Sequence, residues 1–326
     1  MESSKSNYFQ NAILANRYKI ISKLDSGASS QVFKVLDEKT GETKVAKIFD
    51  DNERTLFSKE TKIYEIINRL NLSTNIKFYE SSIDDLLVND NIRRKMYVIL
   101  EYGSKGNLFD ALYKTKNGFT EDVCKYILLN ILNAVDALHK ESICHRDLKL
   151  ENIVLVGDNY DIKLIDFGLS EKFIDENNQK INLTLCCGTR PYQAPEMKER
   201  KPYDGTKVDI FSIGVMLFLL MTKKFGFDEA KVKKDIVNVK QLLYKLIKEK
   251  KYDKYWELMA KYYKINNLSP KFKNLFLKMV AYNPDERPTI EEIRKDEFLA
   301  DIVNASEEYI DLLREKMINE IENVEM

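Results

Sequence analysis

Residues 143–155, ICHRDLKLENIVL, place Asp147, Lys149 and Asn152 between two short apolar runs. A second stretch, IKLIDFGLS, places Asp166 directly after another apolar run. Charges without partners are costly away from water, so an ordinary core would not contain these polar side chains so close together in sequence. The clustering predicts a functional site.

These four side chains are of the types that phosphoryl transfer requires. A carboxylate orients a hydroxyl and accepts its proton, a cation stabilises the moving phosphoryl group, and oxygen ligands hold magnesium. The segment NIVLVGDNYDIKLI separates Asp147 from Asp166 and is long enough to form a hairpin. Such a hairpin would return the second carboxylate to the side of the first.

Composition excludes several other classes of protein. The 326 residues include 52 basic and 52 acidic side chains, and this balance gives no overall attraction to nucleic acid or to an anionic membrane. The longest apolar run, residues 210–221, is shorter than the about 20 residues that cross a bilayer, and no signal-like segment precedes it. The four cysteines lack the spacing of a zinc site or a disulfide framework. We expect a soluble, cytoplasmic protein, with access to the nucleus left open.

The pattern of apolar residues predicts two lobes of different type. From Tyr18 to about Leu100, short apolar runs separated by turns predict a small sheet, interrupted by one helical pattern at residues 57–70. From residue 106 onward the pattern is mainly helical. No linker rich in Gly, Ser or Pro separates the two parts, so we expect a short connection near residues 101–106 and a crevice between the lobes.

The sequence after Asp301 predicts an amphipathic helix. Asn304 and Glu307 have the spacing of a capping box. Four apolar residues share one helical stripe: Ile310, Leu313, Met317 and Ile321. This tail either packs on the main body or binds a partner.

Taken in order, these motifs resemble those of the eukaryotic serine/threonine protein kinases, in a style similar to the calcium/calmodulin-dependent and Aurora-like members. The resemblance implies an α+β, two-lobed protein kinase fold at residues 18–299, with a small β-rich N-lobe that carries one main helix and a larger helical C-lobe. The implied boundary between the lobes lies at about residues 101–102. Residues 1–17 then form an N-terminal extension, and residues 300–326 form the tail.

The resemblance also implies an activity and the residues that perform it. The reaction is transfer of the γ-phosphoryl group of ATP, with Mg²⁺, to serine or threonine hydroxyls of protein substrates. Asp147 is the implied catalytic base and Lys149 lies near the transferred phosphate, while Asn152 and Asp166 bind magnesium. The implied nucleotide-binding residues are Leu24, Gly27, Val32, Val45, Lys47, Glu60, Glu101 and Gly103.

Lys47 lies in the strand-like run KVAKIF, where the family has its phosphate-binding lysine. Taken alone, it is typical of an ordinary strand lysine with its ammonium in water. Its expected partner is Glu60, because the apolar residues that follow Glu60 have the family's spacing, and Glu65 is the alternative. At the end of the predicted sheet, the backbone of Glu101 and Gly103 is expected to pair with adenine.

Residues 23–35, KLDSGASSQVFKV, resemble a phosphate-binding loop that keeps one of three glycines. Asp25, Gly27 and Ser30 stand at the three positions. A glycine lets the backbone approach a phosphate closely, whereas a carboxylate would repel it. We expect weakened but retained nucleotide binding.

Residues 186–196, CCGTRPYQAPE, resemble the end of a kinase activation segment. The resemblance implies a contact of Thr189 with Asp147 and an ion pair of Glu196 with Arg287.

Two further residues, Asp209 and Arg146, each have an expected role. Asp209 is typical of an N-cap or first-turn acid, while the family role would be to brace the catalytic loop. Arg146 is of the type that binds a phosphate on the activation segment, and Thr184 is the expected acceptor.

Two other classes remain open at this point. A pseudokinase that acts as a scaffold or nucleotide-binding regulatory module is favoured by Asp25 and Ser30 alone. A small-molecule kinase is disfavoured by the activation-segment motif, because in the family that segment forms a platform for a polypeptide substrate.

Overall fold

Two units of different secondary structure make up the chain, residues 1–104 and residues 105–326. As the sequence predicts, the first is mainly strand with one long helix, and the second is mainly helix. The structure is a computed structural model. It describes residues 9, 12–27, 29–71, 73–88, 91–227 and 243–322.

The first unit contains an antiparallel sheet closed into a barrel, with the strand order β1-β2-β3-β4-β6-β5. The strands are β1 (Ile13–Leu14), β2 (Tyr18–Ser26), β3 (Ser30–Asp37), β4 (Thr43–Phe49), β5 (Phe78–Val88) and β6 (Asn91–Glu101). Alternate side chains of these strands fill the interior, as expected for a sheet with one buried face.

The short strand β1 closes this barrel because it pairs with both β2 and β5. Ala12 and Leu14 are buried in the barrel core, and the amide of Ala15 donates to the carbonyl oxygen of Asp85 at 2.8 Å. Residues 12–17 of the predicted N-terminal extension therefore contribute to the core of the first unit. A strand of two residues is too short to show a period in sequence.

Helix α1 (Arg54–Leu70) ends at Asn71, which adopts a left-handed conformation with φ 48°. Its buried residues are Glu60, Ile63, Tyr64 and Ile67. Their spacing of i, i+3, i+4 and i+7 defines one helix face, so the pattern that buries the three apolar side chains also buries the carboxylate of Glu60.

Within the described residues of the second unit, we label eight helices as α2 to α9, and two small antiparallel strand pairs accompany them. The helices are α2 (Leu108–Lys114), α3 (Glu121–Lys140), α4 (Pro195–Lys198), α5 (Gly205–Thr222), α6 (Tyr252–Tyr263), α7 (Pro270–Met279), α8 (Ile290–Arg294) and α9 (Glu307–Glu322). The strand pairs are β7 (Ile143–Cys144) with β10 (Glu171–Lys172), and β8 (Ile153–Val156) with β9 (Asp161–Leu164). The second pair confirms the predicted hairpin between Asp147 and Asp166.

Helix α5 is the central helix of the second unit. It is longer than the apolar run seen in sequence, and its 18 residues suffice by length and composition to cross a membrane, yet 78% of it is buried within the protein. It packs on α3 and α7. A Cβ atom on Gly214 would lie 2.9 Å from atoms of Met279 and Val280, so glycine permits this close packing. These contacts identify α5 as a core helix.

The tail helix α9 packs on α2 and α3 of its own unit. Its buried side chains are Leu313, Met317 and Ile321, while Ile310 is only partly buried. The Glu320 carboxylate accepts hydrogen bonds from the amide and the hydroxyl of Thr120, at 3.0 and 2.5 Å. Of the two expected roles for the tail, packing on the body is therefore the one seen.

The predicted capping box at Asn304 is wrong. The Ser306 side chain accepts a hydrogen bond from the amide of Tyr309 at 3.3 Å, and α9 begins at the following residue, Glu307. Ser306 thus occupies the N-cap position, two residues after the asparagine that the spacing had indicated.

Candidate active site

Apolar anchors give the catalytic loop, residues 145–152, its shape. Leu148 and Leu150 alternate with Asp147 and Lys149 and are fully buried. The loop follows β7 and ends in a single 3-10 turn, Leu150–Asn152, before β8 begins. The two leucines anchor the loop in the core on both sides of Lys149.

Asp209 braces this loop from the second turn of α5. Its carboxylate is buried and accepts hydrogen bonds from the amides of His145 and Arg146, both at 2.8 Å. It also bonds His139 Nε2 at 2.8 Å, and this nitrogen must donate because a carboxylate only accepts. The reading of Asp209 as an N-cap is wrong, because Asp204 caps α5 by accepting from the amide of Thr206.

Asp147 is 7% exposed, and its carboxylate is held by donors on both oxygens. Oδ1 accepts hydrogen bonds from the amide and the hydroxyl of Thr189, both at 2.8 Å. Oδ2 accepts from Lys149 Nζ at 2.9 Å and from Asn152 Nδ2 at 3.4 Å. Lys149 Nζ also donates to Thr189 Oγ1 at 3.0 Å. The expected contact of Thr189 with Asp147 is therefore present.

The hairpin brings Asp166 back to the catalytic loop. The amide of Ile165 donates to the carbonyl oxygen of Asn152 at 2.9 Å, and His145 Nε2 bonds the carbonyl oxygen of Ile165 at 3.1 Å. Asp166 itself has φ 61°, a left-handed conformation that is uncommon for a residue with a Cβ atom. These two contacts constrain the backbone of Ile165, the residue directly before Asp166, and so fix where the backbone of Asp166 lies.

Gly188 allows the activation segment, residues 166–196, to contact the catalytic loop. It has φ 87°, and a Cβ atom there would clash with the Arg146 carbonyl oxygen, so no larger residue fits. Gln193 Nε2 donates to the carbonyl oxygens of Cys187 and Gly188 at 2.9 and 3.1 Å. These contacts position Thr189, the residue after Gly188, to donate hydrogen bonds to Asp147.

The expected ion pair of Glu196 with Arg287 is present and bidentate. Arg287 Nη1 and Nη2 donate to the two carboxylate oxygens of Glu196 at 2.6 and 2.7 Å. Arg287 is 1% exposed, and its Nε donates to the carbonyl oxygen of Ala281 at 2.9 Å. A buried pair with this geometry anchors the end of the activation segment.

In the first unit, Lys47 is paired with Glu60. Lys47 Nζ lies 2.6 Å from Glu60 Oε1, and both residues are buried. The alternative partner, Glu65, is exposed on the other face of α1. Lys47 therefore pairs with Glu60 and not with Glu65, because Glu60 lies on the buried face of α1.

The remaining predicted nucleotide-binding residues lie on β2, β3, β4 and at the end of β6. Val32 pairs with Lys47 across β3 and β4, Val45 is half-buried on β4, and Leu24 is 45% exposed on β2. Glu101 ends β6, and Gly103 follows it in the same unit.

The segment that we call the β2–β3 loop begins with Asp25 and Ser26 at the end of β2, and these two residues and Gly27 are exposed. The amide of Gly27 donates to the carbonyl oxygen of Ser30 at 2.9 Å, and a Cβ atom on Gly27 would lie 3.7 Å from that oxygen, which is an ordinary contact. The Asp25 side chain is exposed and accepts from the amide of Ser26 at 2.7 Å. The Asp25 carboxylate therefore lies in solvent.

Sequence reasoning missed Glu171 and Tyr203, which both contact the side chain of Arg146. Burial raises the pKa of Tyr203 to about 12, so its hydroxyl stays protonated at neutral pH. That hydroxyl donates to the carbonyl oxygen of Leu185 at 2.7 Å. No local period or motif marks either residue, because their shared partner lies 25 and 57 positions away in the chain.

Comparison with known proteins gives one family and several relatives. The family model described as "Protein kinase domain" matches residues 18–299. The SNF-related serine/threonine-protein kinase of Homo sapiens is 31% identical over 258 residues, which are 76% of this chain and 31% of that protein. CBL-interacting protein kinase 26 of Oryza sativa subsp. japonica is 30% identical over 292 residues, 87% of this chain and 52% of that protein.

A third relative, CBL-interacting serine/threonine-protein kinase 10 of Arabidopsis thaliana, is 33% identical over 233 residues, 72% of this chain and 43% of that protein. The chain spans about a third to about half of the length of these relatives.

Proposed function

Because the chain belongs to the protein kinase family, we propose that it is an ATP-dependent serine/threonine protein kinase, which transfers the γ-phosphoryl group of ATP to hydroxyls of protein substrates. The observation that carries this proposal is the Asp147 carboxylate, which Thr189, Lys149 and Asn152 hold in one orientation. The names of two relatives, both serine/threonine kinases, support the class of acceptor.

Asp147 orients the acceptor hydroxyl and accepts its proton. Its two oxygens are already aligned by fixed donors, so the carboxylate does not need to reorganise when the substrate arrives. Phosphoryl transfer depends mainly on such positioning and on stabilisation of charge, because the reaction demands little covalent chemistry of the protein.

Lys149 and Thr189 form a triangle of hydrogen bonds with Asp147. The Lys149 ammonium lies 2.9 Å from the carboxylate and 3.0 Å from the Thr189 hydroxyl. This arrangement sets a positive charge beside the base, where the transferred phosphoryl group develops negative charge. Lys149 therefore both orients Asp147 and stabilises the transferred group.

Asn152 and Asp166 would hold magnesium. The amide nitrogen of Asn152 donates to the carbonyl oxygen of Asp147 at 2.9 Å, so the amide oxygen is the atom suited to bind a metal. A carboxylate and an amide oxygen are hard ligands that fit Mg²⁺. When bound, the metal neutralises charge on the phosphates of ATP.

The first unit supplies the groups for the nucleotide. Glu60 orients the buried ammonium of Lys47 at 2.6 Å, and Lys47 binds phosphate oxygens of ATP. Gly27 lets the backbone approach the phosphates, and the backbone of Glu101 and Gly103 pairs with adenine. Leu24, Val32 and Val45 cover the base with apolar side chains.

The test is phosphate transfer from labelled ATP with Mg²⁺ to a generic basic protein and to the chain itself. Asp147→Asn keeps the shape of the side chain but removes the base, and we expect a loss of about a thousandfold in rate. Asp158→Asn is the matched control, because Asp158 is fully exposed in the turn between β8 and β9, and it should match the wild type.

Transfer by Asp147→Asn at the wild-type rate would contradict the proposal. No transfer by any of the three proteins, together with a thermal shift on addition of ATP, would favour the nucleotide-binding scaffold instead.

A further inference from the structure

Arg146, the neighbour of Asp147, is a buried cation with no role in the chemistry described above. It is 5% exposed, and three nitrogens of its guanidinium group each have an acceptor. Nε donates to the carbonyl oxygen of Leu169 at 2.7 Å, Nη1 to the Tyr203 hydroxyl at 3.2 Å, and Nη2 to Glu171 Oε2 at 3.4 Å. A buried guanidinium is costly without an anion, and Glu171 supplies a carboxylate to it.

The backbone holds Glu171 in place for this contact. Glu171 lies on β10, directly opposite Cys144 of β7, and Cys144 Sγ donates to its carbonyl oxygen at 3.3 Å. Arg146 follows Cys144 by two positions. The strand pair therefore sets the carboxylate beside the guanidinium, although the Glu171 side chain remains 36% exposed to water.

Tyr203 connects Arg146 to the activation segment. Its hydroxyl accepts from Arg146 and donates to the carbonyl oxygen of Leu185 at 2.7 Å. Its backbone amide and carbonyl oxygen both pair with Leu183 at 2.8 Å. Tyr203 thus binds the segment on each side of Thr184, whose own side chain is exposed.

We propose that Glu171 is a positioning residue that supplies Arg146 with the negative charge that orders the activation segment, so that phosphate transfer requires no phosphorylation of Thr184. This inference rests on the proposed function. It differs from the expectation that Arg146 binds a phosphate on Thr184. Such a phosphate would compete with Tyr203 and Glu171 for donors already engaged, and its charge of about −2 would repel the Glu171 carboxylate.

The first experiment measures phosphate transfer by wild-type protein treated with a protein phosphatase, with intact mass as proof that no phosphate remains. Thr184→Ala is assayed beside it, because this variant cannot regain a phosphate at residue 184 during the assay. We expect both to stay within about twofold of the untreated wild type, since their Glu171 carboxylate is unchanged. A loss of tenfold or more in either, reversed in the phosphatase-treated protein by rephosphorylation, would overturn the proposal.

The second experiment removes the charge itself. Glu171→Gln should lower kcat at least tenfold at an unchanged KM for ATP, because the acceptor side of the site loses its order while the nucleotide groups do not change. Glu176→Gln removes the same charge from an exposed position of the same segment and should match the wild type. Equal activity of Glu171→Gln and Glu176→Gln would refute the role of Glu171.

Hydrogen exchange provides a readout that does not depend on activity. The amides of Leu183 and Thr189 donate to Tyr203 and Asp147, so their exchange reports the order of the activation segment. We expect at least tenfold faster exchange at these two amides in Glu171→Gln than in wild type or Glu176→Gln, at an unchanged melting temperature. If wild type transfers no phosphate but shows this difference, the proposed function fails and the positioning role stands, whereas equal exchange rates refute the positioning role.

Discussion

The catalytic loop and the loop between β2 and β3 both resemble phosphate-handling segments, but the protein holds them very differently. In the catalytic loop, the buried Asp147 carboxylate accepts from donors on three other residues. In the β2–β3 loop, the exposed Asp25 carboxylate accepts from the amide of its neighbour Ser26, and Gly27 has room for a methyl group.

This difference separates two kinds of constraint on sequence. Packing and hydrogen bonding within the protein constrain the catalytic loop, so a substitution there alters the protein before any substrate binds. In the β2–β3 loop, contacts within the protein place little constraint on the sequence, and the main constraint comes from the bound nucleotide. Substitutions in the first region should therefore change stability and rate together, whereas those in the second should change only the affinity for ATP.

Among the variants that test this comparison, Asp209→Asn should have the largest effect. The amide group of asparagine places a donor where the carboxylate accepts from the His145 and Arg146 amides, so a buried donor loses its partner. We expect a loss of about 2–4 kcal/mol in the free energy of unfolding, measured by urea denaturation, and a lower rate of phosphate transfer.

Asp204→Asn is the control for that variant, because asparagine caps a helix as well as aspartate does. It should change the free energy of unfolding by less than about 1 kcal/mol. An equal loss in the two variants would show that Asp209 matters only as a residue of α5 and not as a brace of the catalytic loop.

Glu60→Gln should have the next largest effect, on the use of ATP. The variant leaves the buried Lys47 ammonium without its carboxylate, and we expect kcat/KM for ATP to fall about tenfold, which corresponds to about 1.4 kcal/mol. Steady-state kinetics with varied ATP measures this loss. Glu65→Gln, on the exposed face of the same helix, should match the wild type, and a similar fall in both would rule out a specific role for Glu60.

Gly27→Ala sharpens the comparison because the fold tolerates it. The added Cβ atom meets the Ser30 carbonyl oxygen at an ordinary distance, so the melting temperature should not change. If the backbone at residue 27 contacts phosphate, the methyl group should raise KM for ATP by about three- to tenfold, or about 1 kcal/mol. An unchanged KM would show that residue 27 does not approach the nucleotide.

Asp25→Gly should have the smallest effect and the opposite sign. The exposed carboxylate is screened by water and salt, so its removal should lower KM for ATP by only about two- to threefold at low ionic strength. Asp25→Asn separates loss of charge from gain of glycine flexibility, and both variants should behave alike. An unchanged KM in both would mean that the carboxylate does not repel the nucleotide.

Local spacing accounts for what could be predicted. The hairpin of β8 and β9 was predicted from the length of the segment that begins at Asn152, and the pairing of Glu60 with Lys47 was expected from the family's spacing of the apolar residues that follow Glu60. The tail helix was predicted from its stripe, although its N-cap was assigned to Asn304 in place of Ser306. Caps are hard to assign where several polar residues precede a helix, because each can accept the same amide hydrogen bond.

Long-range contacts account for what could not be predicted. In sequence, Asp209 is typical of an acid at the N-cap or in the first turn of a helix. Only the tertiary structure shows that it accepts hydrogen bonds from two amides of the catalytic loop. The contact of Arg146 with Glu171 and Tyr203 likewise joins three separate segments of the second unit. The sequence periods of strands and helices, 2 and 3.6 residues, give no information about such a contact.

By itself, the amino-acid sequence determined the two types of unit, the family and the set of reactive side chains, because each depends on residues that are neighbours along the chain. The tertiary structure decided which polar groups hold Asp147 and Arg146, and it placed β1 in the barrel and α9 on its own unit. The physical reason is that a buried charge is stabilised by whichever partner the fold brings close to it, however far apart the two residues are in sequence.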